Sequence, residues 1–134
     1  MKCVRILVCR CGFAVVSAVL AIIVGCGRSD LPPLGTVSGT VTLNGQPLEG
    51  VTVMFQPVQG RPSLGQTDAN GAYELRYMAG VKGAVVGKHR VEVFWPEDAG
   101  PGKPRIPERY NRQSELSFEV KPGRNKFDIK LTSP

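Results

Sequence analysis

The fold of this chain is decided by the stretch TVSGTVTL at residues 36–43. Every second residue is threonine or serine, and the residues between them are apolar or glycine. Strict alternation of this kind is typical of a β-strand with one buried and one exposed face. We therefore predict a strand here, with a buried row formed by Val37, Gly39, Val41 and Leu43.

The next segment predicts a connection to a second strand at residues 51–55. Asn44-Gly45 favours a two-residue hairpin turn. If both strands continue without interruption, such a turn places the apolar rows on opposite faces, because a one-residue slip exchanges the faces of a strand. A bulge or an odd-numbered loop removes this conflict. We favour a five-residue loop over residues 44–48, with Leu48 beneath the end of the sheet.

Four later segments repeat the alternation, and each predicts a further strand. Their inward rows are Tyr73, Leu75 and Tyr77; His89, Val91, Val93 and Trp95; Leu116, Phe118 and Val120; and Phe127, Ile129 and Leu131. A short edge strand is expected near residues 64–67. Residues 78–87 contain three glycines and predict a flexible connection, while the proline-rich residues 96–114 predict a long irregular loop. Together these patterns predict an all-β, antiparallel β-sandwich of six or seven strands.

The first 25 residues have the order of an export signal. Lys2, Arg5 and Arg10 precede an uncharged, apolar run that ends at Gly25. A membrane-spanning helix needs about 20 apolar residues, and this run is too short, so we expect removal of the leader rather than its retention as an anchor.

The leader ends in Ile23-Val24-Gly25-Cys26, which resembles the cleavage and lipidation box of bacterial lipoproteins. The resemblance implies cleavage before Cys26, attachment of fatty acyl groups such as palmitate to that cysteine, and a place in the cell envelope. The implied membrane is the outer membrane or the periplasmic face of a membrane. The organisation is then a signal peptide at 1–25, a lipidated tether at 26–35 and one domain at 36–134.

The cysteine and charge counts exclude two classes of protein for the mature chain, a disulfide scaffold and a nucleic-acid-binding protein. All four cysteines lie at or before residue 26, so a disulfide scaffold is excluded after cleavage. Removal of 25 of the 134 residues leaves 109 and lowers the net charge from +6 to about +3. Because half of the excess charge belongs to the leader, we expect no nucleic-acid partner.

Four segments of the mature chain resemble carboxypeptidase regulatory-like domains: residues 39–42, 45–53, 67–73 and 86–93. The resemblance covers nearly the whole mature chain. It implies a transthyretin-like Greek-key sandwich of seven strands that has no catalytic activity of its own. Such a domain would serve as an interaction or structural module.

The single histidine, His89, is the one candidate for acid–base catalysis. On the apolar row of a strand, an imidazole is more often a packed ring bonded to a backbone carbonyl. Nucleophilic catalysis would need Ser63, Ser114 or Ser117 beside it and a third group to orient it. We expect no enzyme activity, no cofactor and no catalytic residue.

The segment with Asp68, Asn70 and Gly71 predicts a tight structural turn, because an aspartate carboxylate accepts nearby backbone N–H groups and Asn-Gly tolerates positive φ. A calcium loop is the alternative. Calcium binds six to eight oxygens, and only Asp68 and Glu74 are charged here, so we expect no metal site.

The loop at residues 96–114 is the candidate binding segment. Its basic and aromatic residues are Lys103, Arg105, Arg109, Tyr110 and Arg112. They are compatible with a solvated loop, with contact to anionic lipid headgroups, or with a glycan that stacks on Trp95 and Tyr110. The expected partners are thus the membrane, through the N-terminal lipid, and an envelope protein or glycan. A protein partner would pair with an exposed edge strand.

Overall fold

The computed structural model describes residues 31–133. The expected signal peptide, its cleavage box at Ile23, Val24 and Gly25, and Cys26 lie outside the described residues, as does the first half of the tether. The described chain forms twelve strands and a single 3-10 turn at Glu108–Tyr110. The strands are β1 (Leu34–Leu43), β2 (Gln46–Pro47), β3 (Thr52–Pro57), β4 (Ser63–Gln66), β5 (Ala72–Glu74), β6 (Arg76–Met78), β7 (Val81–Lys82), β8 (Ala84–Val85), β9 (Gly87–Phe94), β10 (Leu116–Val120), β11 (Gly123–Lys126) and β12 (Ile129–Leu131).

The first sheet is built around β1, whose ten residues have partners along both edges. On one side β1 pairs antiparallel with β8, β5 and β2. On the other side it pairs with β11 and β12 in parallel. The sequence patterns predicted antiparallel pairing throughout, and these two pairs depart from it because the chain crosses between the sheets before β11.

The second sheet has the strand order β10-β9-β3-β4-β6-β7, and all of its pairs are antiparallel. The hairpins β3-β4 and β9-β10 lie side by side through the β3-β9 pairing. Between them the chain visits the first sheet through β5 and β8. The predicted all-β sandwich is confirmed, with twelve strands in residues 31–133, several of them only two or three residues long, where the sequence patterns predicted six or seven.

The core lies between the two sheets and is made by the inward rows that the alternation predicted. The fully buried apolar residues include Val37, Val41, Val53, Phe55, Leu75, Val91, Val93, Val120, Ile129 and Leu131. Burial of such side chains is the dominant stabilising contribution in a domain without disulfides.

The connection after β1 differs from the expected five-residue loop, and that prediction is wrong. Asn44 and Gly45 form a two-residue turn with φ of 52° and 84°, and Leu43 pairs directly with Gln46. β2 ends after two residues, and the chain then passes to the other sheet before β3 begins. The change of sheet removes the conflict between the apolar rows. Leu48 is buried as expected.

Residues 78–87 were expected to form only a flexible connection, but they contain β7 and β8. Leu34 and Gly35 of β1 pair with Val85 and Ala84. Gly83 permits this approach, because a Cβ at that position would lie 2.6 Å from the carbonyl oxygen of Gly35.

The two ends of the sandwich are distinguished by the direction of β1. The proximal end contains the start of β1 at Leu34, the loop between β3 and β4, the start of β9 at Gly87 and the turn between β10 and β11. The distal end contains the turn at Asn44, the end of β9 and the end of β12. A ten-residue strand of about 3.3 Å per residue separates them by roughly 30 Å.

Candidate functional site

The candidate loop at residues 96–114 begins at the distal end, where Trp95 holds it against the sandwich. The indole N–H of the half-buried Trp95 donates a hydrogen bond of 2.7 Å to the carbonyl oxygen of Pro104. The Lys103 ammonium group lies 5.3 Å from the centre of the same ring, within the range of a cation–π contact. Ile106 and Pro107, which follow, are both buried. The middle of the loop, at Ile106 and Pro107, is therefore packed on the domain, while residues 100–105 are exposed.

A second cluster joins the loop to the end of the last strand. The Arg109 guanidinium donates to both the carbonyl and the hydroxyl oxygen of Thr132, at 2.9 and 2.8 Å. The Tyr110 hydroxyl lies 3.1 Å from the same threonine hydroxyl, and Arg109 also covers the Tyr110 ring at 4.8 Å. The hydrogen bond to Thr132, followed by that to Arg109, lowers the pKa of Tyr110.

Of the five predicted loop residues, only Arg109 and Tyr110 are brought together. Lys103 lies on Trp95, and Arg105 is exposed without sharing that cluster. Arg112 lies farther along the loop, where its carbonyl accepts a bond from Arg90 in the middle of β9. The cations are thus spread along the loop, and two of the aromatic rings already have a cation of this chain against them.

His89 lies in the core, as its position on the inward row predicts. Its ring is 2% exposed, and Nε2 lies 2.5 Å from the carbonyl oxygen of Val85. Nδ1 is buried without a hydrogen-bond partner, and the ring packs against Phe55 with the centres 5.6 Å apart. This environment holds the imidazole away from solvent.

None of the three serines considered as nucleophiles is arranged for use by His89. Ser63 is buried and its hydroxyl has no partner. The Ser114 hydroxyl donates to the carbonyl oxygen of Val91. Ser117 is exposed on β10, opposite Arg90. A base, a nucleophile and an orienting group are required together for this chemistry, and residues 31–133 do not bring them together.

The Asp68 turn is closed by its own side chain and packs on β1. The carboxylate accepts the N–H groups of Asn70 and Ala72 at 2.9 and 3.0 Å. Gly71 has a φ of +76°, and a Cβ there would lie 2.6 Å from the carbonyl oxygen of Val41. Within the described part of the chain, no group of three histidine, cysteine or acidic residues is placed to hold a metal ion.

An open groove of about 1160 Å³ was missed by the sequence analysis. It runs along the outer faces of β1, β4 and β5, and the exposed ion pair Glu74–Lys82, at 3.1 Å, lies within it. The groove forms because the chain changes sheets at Leu75, between β5 and β6. Periodicity alone carries no signal for that crossing.

Comparison with known proteins shows a likeness of structure. No protein-family model and no curated protein matches this chain. Among solved structures, a DUF3823 family protein from Parabacteroides merdae aligns with 75% of this chain at 15% sequence identity and a TM-score of 0.48. The aligned part is 47% of that protein's chain, so this chain spans about half of its length. Across residues 31–133, no helix has the length and apolar character needed to cross a bilayer.

Proposed function

We propose that this chain is an exported lipoprotein that is acylated at Cys26 and presents a non-catalytic β-sandwich at the cell envelope. The domain acts there as an interaction or structural module. This proposal joins the resemblance of the leader to lipoprotein signals with the resemblance of the mature chain to transthyretin-like, carboxypeptidase regulatory-like domains.

The observation that carries the proposal is the spacing between Cys26 and the folded domain. β1 begins at Leu34, eight residues after the cysteine that follows Ile23-Val24-Gly25. Eight extended residues reach about 26 Å. An acylated Cys26 therefore holds the sandwich within a few nanometres of the bilayer.

The non-catalytic part of the proposal is supported by the environment of the single histidine. The buried His89 ring is bonded to Val85 and packed on Phe55. In the loop at residues 96–114, Arg109 bonds to Thr132 and Lys103 lies against the Trp95 ring. These contacts stabilise the domain, and they are what a scaffold or spacer needs.

The test is acylation of the protein produced in a bacterial host. Metabolic labelling with a palmitate analogue and mass spectrometry of the N-terminus should identify a lipid on Cys26 and the loss of residues 1–25. Cys26→Ser should abolish the label and move the protein to the aqueous phase of a detergent partition. Cys11→Ser, a change in the discarded leader, is the matched control and should leave both results unchanged. An unlabelled protein that retains its leader would reject the proposal.

A second candidate function is binding of a glycan or another anionic ligand by the loop at residues 96–114. It is favoured by the exposure of Lys103, Arg105 and Arg112 along the loop and by the partly buried Trp95 ring, against which Lys103 lies. Binding on a glycan array that is lost in the double variant Lys103→Ala, Arg105→Ala would support it. Lys130→Ala, an exposed cation on β12, is the control.

A further inference from the structure

The proximal end of the sandwich carries a set of exposed basic residues. Arg61 lies in the loop between β3 and β4, Lys88 is near the start of β9, and Lys121 and Arg124 flank the turn before β11. The strand registers place these positions at one end of the domain, since Gly35 pairs with Gly123, Val120 pairs with Gly87, and Pro57 pairs with His89. We call these four residues the proximal basic set.

Acidic residues are missing from the segments that form this end. Residues 57–63, 84–88 and 120–125 contain no aspartate or glutamate. One acidic residue, Glu119 on β10, lies opposite Lys88. The distal end is different, because its turns and loops mix basic residues with Glu49, Asp68, Glu97, Asp98 and Glu108. Positive charge is therefore concentrated at one end of the domain.

The same end exposes apolar side chains. Val58 is 86% exposed at the tip of the loop between β3 and β4. Beside it is a shallow depression of about 350 Å³, which Pro57, Val85 and Val86 line together with Lys88. An exposed valine beside Lys88, at an end of the domain that carries further basic residues, is unfavourable in water and suits the boundary between lipid headgroups and acyl chains.

We propose that the proximal end is a docking surface for an anionic phospholipid bilayer. The inference rests on the proposed acylation of Cys26 and adds an orientation to it. The chain enters the domain at this end, through Leu31–Leu34, so the acyl group brings the proximal basic set to the headgroups first. Basic clusters next to a lipid anchor bind anionic leaflets, and the attraction falls off within a Debye length.

Docking in this orientation places the loop at residues 96–114 on the side of the domain that faces away from the membrane. The distance follows from the length of β1, which separates the two ends by roughly 30 Å. From the sequence, the loop at residues 96–114 was one candidate for contact with anionic lipid headgroups. Its location at the distal end assigns that contact to the proximal basic set instead, and leaves the loop exposed to partners.

The experiment uses the mature acylated protein with a label at the tip of the proximal end. In Val58→Cys, the new cysteine is the only free thiol once Cys26 is acylated, and it accepts an environment-sensitive fluorophore. The protein is reconstituted into phosphatidylcholine vesicles with or without phosphatidylglycerol. We expect a blue-shifted emission and a severalfold slower quenching by iodide on the anionic vesicles. Asp98→Cys, at the distal end, is the matched control and should not respond.

Charge variants separate docking from anchoring. Neutralising the proximal basic set with Arg61→Gln, Lys88→Gln, Lys121→Gln and Arg124→Gln should remove the response while the protein still floats with the vesicles. Neutralising Lys103, Arg105, Arg112 and Lys130 should leave the response intact. Raising the salt from about 0.1 M to about 1 M should remove the response of the wild-type protein, because the Debye length falls from about 10 Å to about 3 Å.

Each outcome decides one of the two proposals. Floating protein with an unshifted label at residue 58, or an equal shift on neutral vesicles, overturns the docking surface and leaves the lipid anchor standing. Protein that does not float contradicts the anchor, and the docking proposal falls with it. A shift on anionic vesicles that requires the proximal basic set supports both.

Discussion

The hydroxyl group of Tyr73 donates a hydrogen bond of 2.6 Å to the carbonyl oxygen of Phe127. The two residues lie on opposite sides of β1, and the tyrosine ring crosses that strand at Gly39, with which it pairs. A Cβ at Gly39 would lie 2.0 Å from the Phe127 oxygen, so only glycine fits. β1 has no regular strand partner at Phe127, in the gap between β11 and β12. There the Phe127 carbonyl accepts the Tyr73 hydroxyl instead of a backbone N–H, and the N–H of Thr40 on β1 donates to the Asp128 carboxylate.

Tyr73→Phe should lower the free energy of unfolding by about 1–2 kcal/mol, because the Phe127 carbonyl loses its partner while the apolar packing is retained. Urea unfolding of both proteins measures the difference. Tyr77→Phe, at the half-buried end of the same inward row, is the control and should change stability by less than about 0.5 kcal/mol. Equal stability of wild type and Tyr73→Phe would show that the bond contributes nothing.

The same hydroxyl should make stability depend on alkaline pH. Burial, followed by the charge of Asp128, raises the pKa of Tyr73 above the ordinary value of 10.0. The folded state therefore holds the phenolic proton more tightly than the unfolded state. This contribution is fully present below pH 10 and is lost as the pH rises above it. The stability difference between wild type and Tyr73→Phe should thus be constant below about pH 10 and shrink as the pH rises above it; a difference that stays constant at alkaline pH would contradict the assignment.

Two glycines with similar backbone angles should respond differently to alanine. Gly45 and Gly71 have φ of +84° and +76°, but only Gly71 is crowded, with the Val41 oxygen 2.6 Å from its would-be Cβ. Gly45→Ala should cost about 1 kcal/mol for backbone strain alone. Gly71→Ala should cost about 1–3 kcal/mol more, because the turn must move off β1. Thermal or urea unfolding compares the two, and similar losses would mean that the Asp68 turn does not depend on this close approach.

The strands and their buried faces could be predicted because alternation along a strand is a local property. The inward rows at Val37, Val53, His89 and Ile129 all lie in the core. Local patterns do not encode which sheet a strand joins, so the transfer after Pro47 and the parallel partners of β1 were missed. The glycine-containing segment at 78–87 was misjudged for the same reason, since β8 exists only through its pairing with Leu34 and Gly35.

The candidate loop was correctly located as the longest irregular segment, but its chemistry was not predictable from its composition. The sequence shows four cations there and does not show that Thr132, at the chain's far end, bonds to Arg109. The charge separation between the two ends of the domain was hidden as well. Arg61, Lys88 and Lys121 are far apart in sequence, and only the strand registers bring them to one end.

The stacked rings of Phe118 and Phe127, at the edge of the sandwich, should contribute cooperatively to the free energy of unfolding. Phe118 and Phe127 are half-buried and stack with ring centres 4.4 Å apart, while the fully buried Phe55 contacts both. Phe55→Ala should cost about 3–5 kcal/mol, and the two half-buried rings should cost less. A double-mutant cycle of Phe118→Ala and Phe127→Ala should give a coupling of about 0.5–1.5 kcal/mol. Additive losses would show that the two rings pack independently.

Release of Trp95 should expose the distal loop to protease. Trp95→Ala removes the hydrogen bond to Pro104 and the ring on which Lys103 lies. Trypsin cuts after arginine, and the bond after Arg105 joins it to the buried Ile106. This part of the loop must therefore detach from the sandwich before trypsin can cut there. We expect cleavage after Arg105 to become at least tenfold faster, which corresponds to about 1.4 kcal/mol for opening the loop. Cleavage rates are measured by mass spectrometry under native conditions. Tyr73→Phe, which lowers the stability of the whole domain and removes a bond to Phe127 rather than to the loop, is the control for general destabilisation. An equal rate in Trp95→Ala and wild type would show that the loop is held by other contacts.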